Sequence, residues 1–227
     1  MEEMTNNNKA LVVLSGGQDS TTCLALAKRR YDYVEALTFD YGQKHAIEIE
    51  CAKRIAEMLE IPHTVMPIHN LLSNSALTEH TDTNKPHELD ERLPSSFVPG
   101  RNALFMTLAS IVAYGKGLEN IVIGVCENDY ADYPDCRAEF VRSMQNTISL
   151  ALDKPMRIYA PLLYMKKSEI WRLAKDLEIL DIIIQHTHTD YNGEHTTLNE
   201  WGYGTLDNTA SQLRASGFYH AKQQGWL

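Results

Sequence analysis

The sequence has few cysteines, and their spacing forms no familiar pair. The four are Cys23, Cys51, Cys126 and Cys136, and no two of them have the C-x-x-C spacing of a zinc knuckle or a redox site. A disulfide framework is therefore not expected. A chain of 227 residues with 44% hydrophobic residues can form a core without one.

Basic residues and long apolar runs are also scarce. Lys and Arg number 21 against 30 Asp and Glu, so the formal net charge is −9. Nucleic acids and anionic membranes attract cations, and we expect neither as a partner. No apolar run approaches the ~18 residues of a membrane-spanning helix. The segment Met1–Lys9 lacks the basic start and apolar run of a signal peptide, so we expect a cytoplasmic protein.

Short apolar segments alternate with segments of helical periodicity. The predicted strands are Ala10–Leu14, Tyr33–Phe39, His63–Ile68, Asn120–Val125 and Arg157–Ala160. The predicted helices are Thr21–Arg30, Ala46–Glu60, Asn102–Gly115, Ala138–Leu152, Ser168–Leu177 and, more weakly, Asp207–Gln224. This alternation predicts an α/β fold with an open, mainly parallel five-stranded sheet flanked by helices.

The same patterns suggest one main domain with an appendage. We expect a flexible N-terminus over 1–8, a catalytic domain over 9–185, and a C-terminal extension over 186–227. The polar stretch Ser73–Ser96 is predicted as a long loop, either functional or a solvated insertion. The stretch Gln185–Gly204 is polar and shows no periodicity.

The most informative motif is Ser15-Gly16-Gly17-Gln18-Asp19-Ser20, which stands between the first strand and the first helix. Glycines at such a turn let backbone N–H groups surround an anion, and the helix N-terminus adds positive potential. The hydroxyl groups add donors, and the Asp19 carboxylate is suited to Mg²⁺. The motif is neither a Walker A sequence nor G-x-G-x-x-G. It predicts a phosphate-binding loop.

This hexapeptide resembles the SGGxDS signature of the PP-loop ATP pyrophosphatases. Further blocks narrow the resemblance to the 7-cyano-7-deazaguanine synthase family over about residues 9–185. These blocks are Thr38–His45, Phe97–Asn102, Gly124–Asp129, Tyr133–Arg137, Pro161–Leu162 and Lys167–Trp171. The resemblance implies that ATP activates 7-carboxy-7-deazaguanine as an adenylate, that ammonia converts it to an amide, and that a second activation yields the nitrile. It also implies a homodimer.

The resemblance assigns roles to residues of this chain. It implies catalytic roles for Asp19, Arg101 and Lys167, with Asp19 as the magnesium ligand. The implied ATP-binding residues are Leu14, Ser15, Gly16, Gly17, Gln18, Asp19, Ser20, Thr21, Thr38, Phe39, Asp40 and Lys44. The implied substrate-binding residues are Phe97, Arg101, Asn102, Gly124, Glu127, Asp129, Tyr133, Asp135 and Arg137.

Several of these residues have a plain structural alternative. Glu127, Asp129 and Asp135 suit a guanine-like edge, but carboxylates at such positions also cap helices and turns. Tyr133 and Phe97 could stack on a heterocycle or belong to the core. Cys126 and Cys136 could form a covalent thioimide or act as small hydrophobic residues. For the whole protein, the alternatives are an enzyme that stops at the amide, one that amidates another carboxylate, and a non-catalytic nucleotide-binding scaffold.

The resemblance breaks at a structural zinc site, for which it implies four cysteine ligands. The corresponding residues here are Asp190, Thr205, Asn208 and Ser211. Zinc selects thiolates, and these side chains are poor ligands for it. We therefore expect no zinc there. His186, His188, Asp190 and His195 could form another metal site, although an ordinary polar loop is the simpler interpretation.

Overall fold

A computed structural model of the chain describes residues 8–43, 47–68, 86–87, 90–127 and 133–227. Its centre is a five-stranded sheet in the order β3-β2-β1-β6-β7, with every neighbouring pair parallel. These strands are β1 Lys9–Val13, β2 Tyr33–Asp40, β3 His63–Pro67, β6 Asn120–Val122 and β7 Arg157–Tyr159. The predicted fold class is confirmed.

Helices follow the strands along the chain, as the alternation predicts. They are α1 Gln18–Arg30, α2 Ile47–Met58, α3 Arg101–Gly115, α4 Ala138–Ala151, α5 Lys167–Asp176, α6 Leu180–His186 and α7 Thr209–Gln223, with a short 3₁₀ helix at Pro134–Cys136. Two small hairpins pair β4 Pro86–His87 with β5 Asp90–Pro94, and β8 Leu198–Asn199 with β9 Gly202–Tyr203. None of the helices described is long and apolar enough to cross a membrane.

The central strand β1 shows why the sheet is covered on both faces. Ala10, Val12 and Leu14 belong to one buried cluster, whereas Leu11 belongs to the other. Successive side chains of a strand point to opposite faces, so a continuous apolar run supplies two cores. Helices α1, α2, α5, α6 and α7 contribute to the first cluster, and α3 and α4 contribute to the second.

The strand order places the ligand-binding edge. The chain moves outward from β1 to β2 and β3, and later returns to the other side of β1 with β6. The loops that leave β1 and β6 therefore diverge at their carboxyl ends. Such a switch point is where open α/β sheets bind ligands.

The structure differs from the sequence prediction in two segments. The prediction of a loop through Ser73–Ser96 is wrong over Pro86–His87 and Asp90–Pro94, where β4 and β5 form a hairpin with an irregular register. Its parts over 73–85 and 88–89 lie outside the described residues. Helix α6 and the hairpin β8–β9 also went unpredicted. Elements of two to seven residues are too short to display the periodicity on which such predictions depend.

The C-terminal segment shares a core with the sheet domain. Trp201, Ala215 and Phe218 belong to the same buried cluster as residues of α1 and α5. The indole of Trp171 on α5 is fully buried, and its Nε1 donates to the carbonyl oxygen of Arg214 at 3.1 Å. Its ring meets that of Phe218 edge-on, with centroids 5.1 Å apart. The C-terminal segment is therefore packed directly onto the sheet domain through Trp201 and α7.

Candidate active site

The loop between β1 and α1 is held by its own hydroxyl groups. The Ser20 Oγ accepts a hydrogen bond from the Ser15 N–H at 3.1 Å and lies 3.2 Å from the carbonyl oxygen of Gly17. The Thr21 hydroxyl donates to that same carbonyl at 2.8 Å. Gly17 is the N-cap residue of α1, and no side chain caps the helix there. The positive end of the helix is thus available to an anion.

Two glycines allow close approach around this loop. Gly16 has a φ of +85°, and a Cβ on it would lie 2.9 Å from the Ala52 nitrogen of α2. A Cβ on Gly124, after β6, would lie 2.9 Å from the Ser20 nitrogen. Real Cβ atoms do not approach backbone this closely, so both positions require glycine. The loop therefore lies in direct contact with α2 on one side and with Gly124, after β6, on the other.

Asp19 and Lys167 form an ion pair at the entrance of the loop. The Lys167 Nζ lies 2.8 Å from the Asp19 Oδ2, and the lysine side chain is only 9% exposed. The other carboxylate oxygen, Oδ1, is buried without a hydrogen-bond partner, as are both amide atoms of Gln18. Buried polar atoms are usually satisfied. These atoms therefore suit a ligand, and an oxygen of this kind fits Mg²⁺.

A cavity of about 650 Å³ extends from this loop. Its lining brings together residues from both predicted binding sets. These are Leu14, Ser15, Gly17, Gln18, Asp19, Ser20, Thr38, Phe39, Arg101, Asn102, Gly124, Tyr133 and Lys167. Cys126 and Cys136 also line it, and the Cys126 thiol lies 3.2 Å from the carbonyl oxygen of Met165. Such a volume is in the range of small-molecule sites.

The lining of the cavity also includes aromatic rings and a half-buried acid, Glu48. Phe39 and Phe105 stack with centroids 4.5 Å apart. Burial raises the pKa of Glu48 to about 7, although the nearby positive charge of Arg101 opposes this. Burial, assisted by Glu48, raises the pKa of Tyr41 to about 12, again against Arg101. The cavity thus offers apolar walls for a flat ring and groups able to hold or move a proton.

Other predicted residues lie outside the lining of the cavity, and two of the acids among them accept hydrogen bonds at helix starts. The Glu127 carboxylate accepts from the N–H of Ala138, the first residue of α4, at 3.2 Å. The Asp135 carboxylate accepts from the N–H of Asn102 in the first turn of α3 at 3.1 Å. For these two acids the helix-capping alternative matches the contacts observed. The other predicted residues outside the lining are Gly16, Thr21, Asp40, Phe97 and Arg137. Lys44 and Asp129 lie outside the described residues.

Sequence reasoning missed a wall of the cavity that the C-terminal segment forms. The lining residues of this segment include His188, Thr189, Tyr191, Thr209, Leu213 and Arg214. Elsewhere in the chain, Tyr41, Glu48 and Arg92 also line the cavity and were not predicted. The backbone N–H of His188 donates to the carbonyl oxygen of Gly16 at 3.0 Å, so this wall touches the phosphate loop itself. Neither Tyr191–Gly193 nor Leu213–Gly217 has the periodicity or motif that would predict a binding wall from the sequence.

Arg214 anchors this wall from inside the core. Its side chain is 1% exposed. Its Nε donates to the Trp201 carbonyl at 2.7 Å, and its Nη2 donates to the Ile183 carbonyl at 2.7 Å. Its Nη1 donates to the hydroxyls of Thr187 and Thr189. Burial lowers its pKa to about 10, which leaves it charged at neutral pH.

The four positions where the resemblance implies zinc ligands lie together but are already bonded to one another. The Asp190 Oδ2 accepts from the Thr205 N–H and from the Ser211 hydroxyl, each at 3.0 Å. The Asn208 Oδ1 accepts from the Ser211 N–H at 3.0 Å. With no thiolate, and with the side-chain oxygens of Asp190, Asn208 and Ser211 engaged in hydrogen bonds, this set does not fit zinc.

The histidines of the same segment are arranged differently from a metal site. The His188 Nε2 lies 2.8 Å from the Asp190 carbonyl oxygen, and its Nδ1 lies 3.3 Å from the Nδ1 of His195. The His195 ring stacks on Tyr203, with centroids 4.0 Å apart. Across the described ranges, no group of three or more His, Cys, Asp and Glu side chains is arranged to hold a metal ion.

A phosphate loop at the switch point of a parallel sheet, with a buried Lys–Asp pair and an aromatic pocket beside it, defines a nucleotide-binding α/β enzyme of the PP-loop class. The chain matches the family model of "Queuosine biosynthesis protein QueC" over residues 9–222 and belongs to that family.

A named relative and two solved structures were compared with the chain. It is 44% identical over 217 residues to a 7-cyano-7-deazaguanine synthase from Wolinella succinogenes, covering 94% of this chain and 93% of the relative. It also resembles an NH3-dependent NAD synthetase from Campylobacter jejuni, with 18% identity and a TM-score of 0.49, over 79% of this chain and 68% of the other. An NMN synthetase from Francisella tularensis gives 15% identity and a TM-score of 0.47, over 96% and 86%.

Proposed function

We propose that the protein uses ATP to convert 7-carboxy-7-deazaguanine and ammonia into 7-cyano-7-deazaguanine. The observation that carries this proposal is one cavity lined both by the phosphate loop and by aromatic side chains and the acid Glu48. The family membership and the named relative support the choice of substrate. The acidic net charge is compatible with an anionic substrate because Arg101 and Lys167 both line the cavity.

The loop would bind the triphosphate of ATP. Backbone N–H groups at the start of α1 and the hydroxyls of Ser15 and Ser20 supply donors on one side. Phe39 lies beside them and would border the adenine. Gln18, whose buried amide has no partner, is placed to bond a polar edge of the nucleotide.

Lys167 and Asp19 would divide the handling of charge between them. A magnesium ion bound at the Asp19 Oδ1 would offset negative charge on the phosphates. The Lys167 ammonium, released from its pair with Asp19, would approach the α-phosphate and stabilise the pentacoordinate transition state.

The chemistry requires two activations. In the first, a carboxylate oxygen attacks the α-phosphorus and pyrophosphate leaves. Ammonia then attacks the acyl carbon, AMP leaves, and a proton is lost to give the amide. In the second, the amide oxygen attacks another α-phosphorus and pyrophosphate leaves again. Loss of AMP together with the amide protons yields the nitrile. Each activation converts an oxygen that would otherwise stay bound to carbon into part of a good leaving group, AMP.

Both steps release protons inside the cavity, and we propose that Glu48 accepts them. Glu48 lines the cavity and interacts electrostatically with Arg101, and its pKa of about 7 would let it take up and return protons near neutral pH. Arg101 would stabilise the negative oxygen of the tetrahedral intermediate.

The test is the mass of the product formed by the purified protein from Mg²⁺-ATP, ammonium and 7-carboxy-7-deazaguanine. The nitrile is expected, together with AMP and pyrophosphate whose release depends on the carboxylate. An amide that accumulates without nitrile would restrict the enzyme to the first half of the reaction. Absence of both products, with ATP intact, would contradict the proposal.

A further inference from the structure

The C-terminal segment holds the phosphate loop through a backbone contact. The His188 N–H donates to the Gly16 carbonyl oxygen at 3.0 Å, and the His188 carbonyl oxygen lies 3.3 Å from where a Cβ on Gly17 would stand. The path of residues 187–191 therefore determines where the loop backbone can lie. Whatever fixes this path also shapes the phosphate site.

The Asp190 carboxylate fixes it. This side chain is 1% exposed and accepts three hydrogen bonds. Its Oδ1 accepts from the Asn192 N–H at 2.8 Å, and its Oδ2 accepts from the Thr205 N–H and the Ser211 hydroxyl. One carboxylate thus joins the turn after it, the strand-like segment after β9, and the first turn of α7.

The surroundings of Asp190 are built for this contact. Gly204 has a φ of +131°, and a Cβ there would lie 3.0 Å from both the Asp190 Oδ2 and the Ser211 Oγ. The Asn208 side chain caps α7 by accepting from the Ser211 N–H, and both Asn208 and Ser211 are fully buried. A buried charge is stable only with such partners.

Asp190 also orients His188 directly. The His188 Nε2 donates to the Asp190 carbonyl oxygen at 2.8 Å. The same residue therefore holds the ring of His188 through its backbone and the rest of the segment through its side chain. The two contacts connect the four-residue cluster to Gly16.

We propose that Asp190 is a positioning residue that takes over, by hydrogen bonds alone, the task of the zinc site implied by the family resemblance. Its carboxylate links the beginning of the segment 187–211 to Thr205 and Ser211 near its end. This link keeps His188 in contact with the phosphate loop. The disagreement between the residues present and a zinc site is thereby explained. A buried carboxylate and a hydroxyl supply the cross-links that thiolates and a metal would otherwise supply.

The first experiment measures metal content and thermal unfolding of the untagged full chain. We expect far less than one zinc per chain and a Tm unchanged by EDTA. Asp190→Asn replaces an acceptor by an amide, and loss of charge-assisted bonds should lower the Tm by roughly 5 °C or more. Glu200→Gln, an acid-to-amide change at an exposed ion pair with Lys222, is the control and should change the Tm by less than about 1 °C. Stoichiometric zinc, or an unchanged Tm in Asp190→Asn, would overturn the proposal.

The second experiment separates positioning from bulk stability, and its kinetic part rests on the proposed function. Below the unfolding transition, Asp190→Asn should raise the KM for ATP roughly 3- to 10-fold, as expected for a displaced loop contact. The kcat should change less, and the calorimetric Kd for ATP should rise in parallel. An unchanged KM and Kd in a folded variant would contradict positioning. Calorimetry and Tm need no turnover, so failure of the proposed reaction would leave this test intact.

A gain-of-function variant tests the geometry of the cluster. Asp190→Cys, Thr205→Cys, Asn208→Cys and Ser211→Cys, combined in one chain, should take up about one zinc per chain and make the Tm sensitive to chelators. A folded variant that binds no zinc would contradict the inference that these four positions form one cross-linking site.

Discussion

The phosphate loop and the C-terminal segment border the same cavity, but the sequence encodes them differently. The loop Ser15–Ser20 is one continuous motif, because its glycines and hydroxyls meet needs of the local backbone. The segment 186–211 depends on contacts between distant positions, such as Asp190 with Ser211. The backbone geometry of the loop permits few residue types, whereas a cross-link between distant positions can be formed by hydrogen bonds or by a metal. A motif search therefore finds the first wall of the site and overlooks the second.

The largest effect is expected from the loop side of the comparison. Lys167→Ala should reduce kcat by roughly 10³-fold, because a preorganised cation at a phosphoryl transition state contributes several kcal/mol. Steady-state release of pyrophosphate measures it. Lys175→Ala, an exposed lysine on the same helix, should leave kcat unchanged. Equal losses in the two variants would show that the paired lysine has no special role.

The second effect concerns the anchor of the C-terminal wall. Arg214→Lys cannot make the fork of hydrogen bonds to Trp201, Ile183 and the two threonines, so it should lower the free energy of unfolding by about 3 kcal/mol or more. Denaturant titration measures this change. The same substitution at the exposed Arg172 of α5 should cost less than about 0.5 kcal/mol. A stable Arg214→Lys would mean that this wall is held by other contacts.

A third variant tests whether the two walls are mechanically connected. A Cβ on Gly217 of α7 would lie 2.7 Å from the Lys167 Cγ and 3.0 Å from its backbone carbon. Gly217→Ala should therefore move Lys167 away from Asp19 and lower kcat about tenfold, as misplaced catalytic groups do. Gly115→Ala, at a helical glycine with nothing near its Cβ position, should keep kcat and stabilise the fold slightly. Full activity in Gly217→Ala would show that the two walls are not mechanically connected.

The last prediction is a pH dependence from Glu48. Its pKa is about 7 in the folded chain, above the ordinary value of 4.5, so the folded state holds a proton that the unfolded state has released. The contribution of Glu48 to the free energy of unfolding therefore falls as the pH rises from about 4.5 through 7. Glu48→Gln removes this dependence. Compared with the unmodified protein, the variant should gain more stability at pH 8 than at pH 5, and it should form the amide more slowly. Denaturant titrations at the two pH values check it, and an identical pH profile in the variant would contradict the assignment.

The sequence predicts the sheet and the loop well because both follow local rules. An apolar run such as Ala10–Leu14 and a glycine turn after it leave few structural options. For two of the acids the sequence leaves binding and helix capping open as alternatives: Glu127 and Asp135 each accept a hydrogen bond from the first turn of a helix. Glu48 carries no local signal, because its significance comes from burial next to Arg101. The sequence indicates Asp190 only as a replaced zinc ligand or as part of a histidine cluster, since two of its three donors, Thr205 and Ser211, come from positions that folding brings together.

The central claim is that the loop and the C-terminal segment form one site, joined where His188 contacts Gly16. Amide hydrogen exchange, resolved to residues 187–191, tests this contact most directly. We expect the His188 amide to exchange slowly, to be protected further when Mg²⁺-ATP is added, and to exchange quickly in Asp190→Asn. Protection by nucleotide confined to residues 15–20, with 187–191 unaffected in both proteins, would contradict the account.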